Sequence, residues 1–284
     1  MKVGVALPHY GSPGHDPSLD RVVEISREAE RLGFDSVWVS DHIVFDLEKY
    51  GGSPEPVGSL EPLATLSVLA AETERVRLGT MVLCNEFRHP VQLAKEAATL
   101  DVASGGRLEL GLGAGWYEPE FLRSGIPFPS PRIRLERLGE SVEILKGLFE
   151  GAPLTYAGKH YRLRDALAHP VPDQRPRPTI WVGGKGDRAM RLIASVADGW
   201  NASWFQDVEP YLERAALLGD APVRRSIGQY AQGSRQEMVD RLAAFASAGV
   251  EHAVMCFSAV PFGLDDPEDV VRFAQDVVPH VRAL

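Results

Sequence analysis

The chain has 284 residues, 44% of them hydrophobic and 24% charged, with a formal net charge of -9. That length suits one large barrel or two smaller domains, and it can bury a core without disulfide or metal staples. An acidic balance argues against a nucleic-acid partner and against anionic membranes, while leaving room for a local phosphate pocket.

Val3 to Leu7 reads as a short apolar strand ended by Pro8. The N-terminus is too short for a signal sequence, and no run approaches the roughly 18 apolar residues of a membrane helix, so the expected location is the cytoplasm. Leu19, Val22, Val23, Ile25, Ala29 and Leu32 recur at helical spacing, and Gly33 stops that helix. Ser36 to Val39 follows as a strand, Leu60 to Ala71 as a helix, and Val76 to Cys84 as a strand. Val91 to Val102 is helical, Leu108 to Leu112 a strand, and Ile133 to Phe149 a long helix.

Residues Ala152 to Pro178 interrupt this rhythm, with a small hairpin over Leu154 to Leu163 and a Pro-rich loop after it. Thr179 to Val182 and Gly199 to Ser203 are strands flanking a helix from Arg188 to Ala197. Met238 to Ala248 is a helix, His252 to Phe257 a strand and Pro267 to Val281 a last helix. Strand–helix alternation along the whole chain demands a parallel sheet, and its length favours a closed (β/α)8 TIM barrel forming one domain over residues 1–284. Closure needs one more strand between Ser203 and Met238, and Arg225 to Ala231 is the one candidate, weakened by Gly228 and Gln229. Cys84 and Cys256 lie in apolar runs and read as buried thiols.

Function in such a barrel sits in the loops after the strands. After the strand ending at Val182 come Gly183, Gly184 and Lys185, directly before a helix. Glycines let backbone approach an anion, and the helix N-terminus supplies free N–H groups; a plain tight turn is the alternative, and the loop alone does not choose. Glycines at 111, 113 and 115, with Ala114, precede Trp116 and Tyr117. They make either a seat for a flat heterocycle or room for barrel-interior packing. Asp41 and His42 put a carboxylate and an imidazole just past a strand, suited to proton work, though a turn-capping aspartate beside a surface histidine is the plainer reading. The histidine and cysteine spacings match no metal motif, and no G-x-S-x-G elbow occurs.

Several of these runs together resemble the bacterial luciferase-like superfamily. They are Gly33-Phe34-Asp35-Ser36-Val37-Trp38-Val39-Ser40-Asp41-His42, the stretch Thr73 to Val82, the stretch Leu100 to Trp116, and Val182-Gly183-Gly184 with Ala197-Asp198-Gly199-Trp200-Asn201. The resemblance covers the chain to about residue 205. It implies a (β/α)8 barrel with an inserted segment at 152–178, a flavin-type ring over the strand ends, and a non-proline cis peptide at Met81-Val82. The run from Gly113 to Glu120, followed by Gly125-Ile126-Pro127-Phe128, is similar to the actinobacterial group that uses the deazaflavin coenzyme F420.

By that resemblance Asp41 and His42 flank the ring, with His42 orienting substrate or shuttling a proton. Met81, Val82 and Cys84 pack behind the ring, Ala114, Gly115 and Tyr117 border it, and Gly183, Gly184 and Lys185 hold the phosphate. The implied activity is hydride transfer between F420 and a small organic substrate, in a homodimer. FMN with oxygen and a separate flavin reductase is the alternative, and a cofactor-binding barrel without turnover is a further one. Sugar-phosphate dehydrogenases of this group carry a glutamate proton donor where Trp116 stands, so the resemblance argues against that substrate and leaves the general acid unassigned.

Overall fold

The structure, a computed structural model, describes residues 1–283. Eight strands form the barrel: β1 (Lys2–Ala6), β2 (Ser36–Val39), β3 (Arg77–Thr80), β4 (Leu108–Gly113), β5 (Thr179–Gly183), β6 (Gly199–Ala202), β7 (Arg224–Tyr230) and β8 (His252–Cys256). Each pairs in parallel with the next, and β8 pairs with β1, so the sheet has no edge. The helices are α1 (Leu19–Arg31), α2 (Pro62–Glu72), α3 (Pro90–Ala103), α4 (Glu118–Ser124), α5 (Pro131–Phe149), α6 (Asp187–Val196), α7 (Val208–Ala215), α8 (Arg235–Ser247), α9 (Pro267–Asp276) and α10 (Val278–Arg282).

The closing strand is β7, at the place the spacing demanded. The hairpin pairs Leu154–Ala157 with Arg162–Ala166. Three expectations need correction. The apolar run from Val76 to Cys84 is not one strand: β3 ends at Thr80, the Met81-Val82 peptide is cis, and a short strand, Leu83–Cys84, restarts beside β4. The last helix is two, because Pro279 lacks the N–H that a continuous ladder needs and sits in the first turn of α10. Helices α4 and α7 were not anticipated; α4 occupies the loop after β4.

Local signals explain several boundaries. Ser18 caps α1 by accepting from Arg21 N, and Ser234 and Glu237 form a reciprocal capping box at α8. Between strands and helices lies a continuous apolar layer including Val37, Leu66, Leu108, Leu145 and Ile180. Inside the barrel a second cluster gathers Trp38, Trp181, Met81, Tyr230 and Phe262. Its indoles occupy space that glycines vacate: a Cβ at Gly79 would stand 2.2 Å from Trp38, and one at Gly199 2.2 Å from Trp181. The indole N–H groups are satisfied, Trp38 by Ser36 Oγ at 2.7 Å and Trp181 by Glu109 at 2.7 Å.

Two imidazoles are buried in this interior. His252 Nε2 lies 2.8 Å from Ser36 Oγ, and His9 Nδ1 lies 3.0 Å from the Leu7 carbonyl. Burial pushes His252 down to about 3 and His9 down to about 4. Folded values below the unfolded one of about 6.5 mean that the folded state binds fewer protons. Their contribution is therefore complete above about pH 6.5 and is lost as pH falls through the window toward 4. Thermal unfolding should show a falling Tm between pH 6.5 and 4.5, and the two ring resonances should not titrate between pH 8 and 5. Titration of either near 6.5 would contradict the burial argument.

Candidate active site

At the C-terminal ends of the strands a cleft of about 620 Å³ opens. A groove of about 570 Å³ between α1 and α9 is bordered by helix-surface charges such as Glu24, Arg27 and Glu28, away from the strand ends. The cleft brings together Asp41, His42, Met81, Val82, Cys84, Ala114, Gly115, Gly183, Gly184 and Lys185 from four loops. Tyr117 is not on its lining; it packs edge-on against His42 and Phe45, with centroids at 6.3 and 5.0 Å.

One half of the cleft is made of small groups. A Cβ at Gly113 would stand 2.6 Å from Val82 Cγ2, and one at Gly183 3.2 Å from both Val82 methyls. Two bare backbones therefore cradle the valine of the cis peptide. Gly111 serves packing, since its Cβ would meet the Thr80 carbonyl at 2.0 Å. Gly115 has φ +75, and its Cβ would meet Cys84 Sγ and Phe121 at 2.9 Å. Burial pushes the Cys84 thiol up, keeping it protonated and unreactive.

The loop after β5 has the features of an anion seat. Gly184 lies tight on α6, where a Cβ would stand 2.8 Å from Ala189, and its carbonyl accepts from Trp200 Nε1 at 2.8 Å. Gly186 is the N-cap of α6 and offers no side chain to the first-turn N–H groups. Lys185 places its ammonium 4.2 Å from the Phe205 ring centroid, and burial, then Lys49, lowers its pKa.

Asp41 and His42 have different partners. The Asp41 carboxylate accepts from Cys84 N at 2.9 Å and from Arg88 at 2.5 and 3.3 Å, and Arg88 also pairs with Glu61. Burial pushes the Asp41 carboxyl up, and Arg88 opposes it. Asp41 thus ties the loops after β2 and β3 together. His42 Nδ1 lies 2.9 Å from Glu120 Oε2, and the other Glu120 oxygen accepts from the Ile43 and Val44 N–H groups. Glu120 is 2% exposed, so the histidine is oriented by a buried carboxylate. Among the described residues Nε2 has no hydrogen-bond partner, which leaves it the atom available to a ligand.

Nothing in the sequence assigns Glu120 a role; its one signal is its place in the acidic first turn of α4. The sequence likewise assigns no role to Asn201. It is 1% exposed and borders the cleft, its Oδ1 accepts from Ser226, and its Nδ2 is buried without a partner. Trp204 and Phe262 also line the cleft and were missed.

This barrel and its strand-end cleft belong to a known class. Residues 1–218 match the family model described as luciferase-like monooxygenase, and the chain is a member of that family. It is 33% identical over 261 residues to a Beutenbergia cavernae protein named F420-dependent glucose-6-phosphate dehydrogenase, covering 89% of this chain and 75% of that one. A Microbacterium testaceum protein of the same name is 37% identical over 187 residues, covering 66% of this chain and 53% of that one, so the match spans about half of that relative. An uncharacterized Mycobacterium tuberculosis protein is 30% identical over 273 residues, covering 91% and 90%. The fold matches an F420-dependent secondary alcohol dehydrogenase solved with an F420-acetone adduct, at TM-score 0.80, 20% identity and 99% coverage of both chains.

Proposed function

We propose that the protein is a coenzyme F420-dependent oxidoreductase that transfers hydride between the deazaflavin and a small organic substrate. The observation that carries this reading is one cleft holding both a cradle of bare backbone around Val82 and an uncapped helix N-terminus beside Lys185. The residues present fit a ring with a phosphate tail: the Gly113 and Gly183 cradle admits no side chain, and the orphaned Asn201 Nδ2 waits for an acceptor. Relatives that share a third of the aligned residues are named for F420.

When bound, the deazaflavin supplies a ring carbon that accepts or releases hydride. Met81, Val82 and Cys84 back the ring, and Ala114 and Gly115 meet it through backbone. Gly183, Gly184, Lys185 and the first turn of α6 hold the phosphate. His42 hydrogen-bonds the substrate oxygen and moves its proton, while Glu120 keeps Nδ1 engaged so that Nε2 faces the substrate. Trp116 offers no proton, so the general-acid role falls to His42. Among the described residues no helix is long and apolar enough to cross a membrane. The reading places the enzyme in the cytoplasm as a homodimer.

Titration with F420 and FMN, each oxidised and reduced and followed by ring absorbance, tests the proposal. F420 should bind more tightly; preferential FMN binding would transfer the enzyme to the flavin branch with its separate reductase. In the same assay Gly113→Ala should weaken F420 binding by about tenfold, because the new methyl displaces Val82 and overpacking costs about 1–3 kcal/mol. An unchanged Kd would show that the cradle does not meet the ring.

A further inference from the structure

Another part of the cleft lining is built differently. Tyr10, Phe45, Tyr50, Trp116, Trp204 and Phe262 line it. Their rings form one arc: Trp204 to Phe262 at 5.9 Å, Phe262 to Tyr10 at 6.3 Å, Tyr10 to Phe45 at 5.9 Å and Phe45 to Trp116 at 5.7 Å. Two members are held against backbone preference. Trp204 has φ +57 and Phe262 φ +56, the left-handed region that bulky residues avoid. Of the three non-glycine residues there, two line this cleft, so the strain is spent on aiming two rings. The barrel also makes room for them: a Cβ at Gly228 would stand 3.2 Å from the Trp204 ring, and Trp204 stacks on Tyr230 at 4.8 Å.

The cleft's two lysines both reach this side, and each is already held against an aromatic ring: Lys49 with its ammonium 4.1 Å from the Trp116 centroid, and Lys185 4.2 Å from the Phe205 centroid and 3.5 Å from the Trp204 carbonyl. The Tyr10 hydroxyl is already engaged by Ser40. What remains for a substrate is a largely aromatic surface bordered by His42, whose Nε2 is unengaged among the described residues.

We infer that the substrate is a flat aromatic or conjugated molecule carrying a single carbonyl or hydroxyl, rather than a sugar phosphate or a small aliphatic alcohol. This inference rests on the hydride-transfer reading for the occupant of the glycine cradle at Val82. Reduction of such a ketone brings hydride from the reduced deazaflavin to the carbonyl carbon and a proton through His42 to its oxygen. The products are the secondary alcohol and the oxidised deazaflavin.

Calorimetric titration of the full chain, with and without saturating F420, tests the inference. The probes are acetophenone, cyclohexyl methyl ketone and glucose 6-phosphate. The aromatic ketone should bind about tenfold more tightly than its saturated counterpart, the gain of two or so ring contacts. Trp204→Leu should erase most of that preference. Trp116→Leu, at a position 46% exposed and safe for folding, should reduce it several-fold. Equal affinity for the two ketones, or tighter binding of glucose 6-phosphate, would overturn the inference. If F420 fails to bind while the aromatic preference persists in the free protein, the cofactor reading falls and the aromatic site stands. Loss of both overturns both.

Discussion

Replacing His42 with alanine should lower turnover by about 10²–10⁴-fold while leaving the F420 Kd within about threefold of wild type. The asymmetry follows from what holds His42. His42 Nδ1 is committed to Glu120 at 2.9 Å, and its face stacks on Phe45 at 4.3 Å, so the imidazole is fixed by groups on the aromatic side of the cleft. The proposed phosphate seat at Gly183 and the glycine cradle at Val82 make no contact with this hydrogen bond or this stack and survive the change. Initial rates with any substrate that the wild type turns over, paired with an absorbance titration, separate the two effects. Glu120→Gln should fall between the two proteins, since glutamine can still accept from Nδ1–H but brings no charge to stabilise an imidazolium. Undiminished turnover in His42→Ala would remove the histidine from the chemistry.

The same pair shows where reading the sequence ran out. His42 was visible because it directly follows a strand whose apolar run, Ser36 to Val39, is unmistakable. Glu120 is 78 residues away, in a helix of seven residues whose only announcement is an acidic first turn, and nothing local says that it bends back to β2. The strands themselves were legible because parallel barrel strands are buried on both faces and read as short apolar runs. The weakest of them, β7, was weak for a reason the structure supplies. Gly228 is small to admit Met81 and Trp204, and Gln229 is polar because its amide donates to the Phe205 carbonyl. Both residues break the strand pattern to support the loop that carries Trp204. Trp204 and Phe262 left no signal at all, since a bulky residue at positive φ runs against every local preference. The sequence leaves the glycine loops open between close approach and packing, and geometry divides them: Gly111 yields to the Thr80 carbonyl, whereas Gly113 and Gly183 yield to the Val82 side chain that lines the cleft.

Substituting Arg88 with methionine should destabilise the fold by about 3–5 kcal/mol, because it strands a buried carboxylate. Asp41 is 6% exposed and has Arg88 as its ion-pair partner, and the one other donor to it is the Cys84 N–H. For a chain of this size the loss corresponds to a Tm decrease of roughly 10 °C. The pH dependence gives the effect a signature. Burial already pushes the Asp41 carboxyl up, and removing the guanidinium removes the main opposing influence. A folded value above the unfolded one of about 3.9 means that the folded state binds the extra proton. Stability is then fully present below that unfolded value and is lost as pH rises through the folded one. The deficit of Arg88→Met relative to wild type should therefore be largest at neutral pH and shrink on acidification, opposite in direction to the falling Tm that His9 and His252 impose on both proteins. Adding Asp41→Asn to Arg88→Met should recover much of the loss at pH 7, since an amide needs no counter-ion. A deficit that does not vary with pH, or a double variant no better than the single, would place the cost in lost packing of the arginine stem. Because Asp41 joins the loop of His42 to the backbone of Cys84, the single variant should also lose turnover at temperatures where it is still folded, which links the ion pair to the site through position rather than through proton transfer.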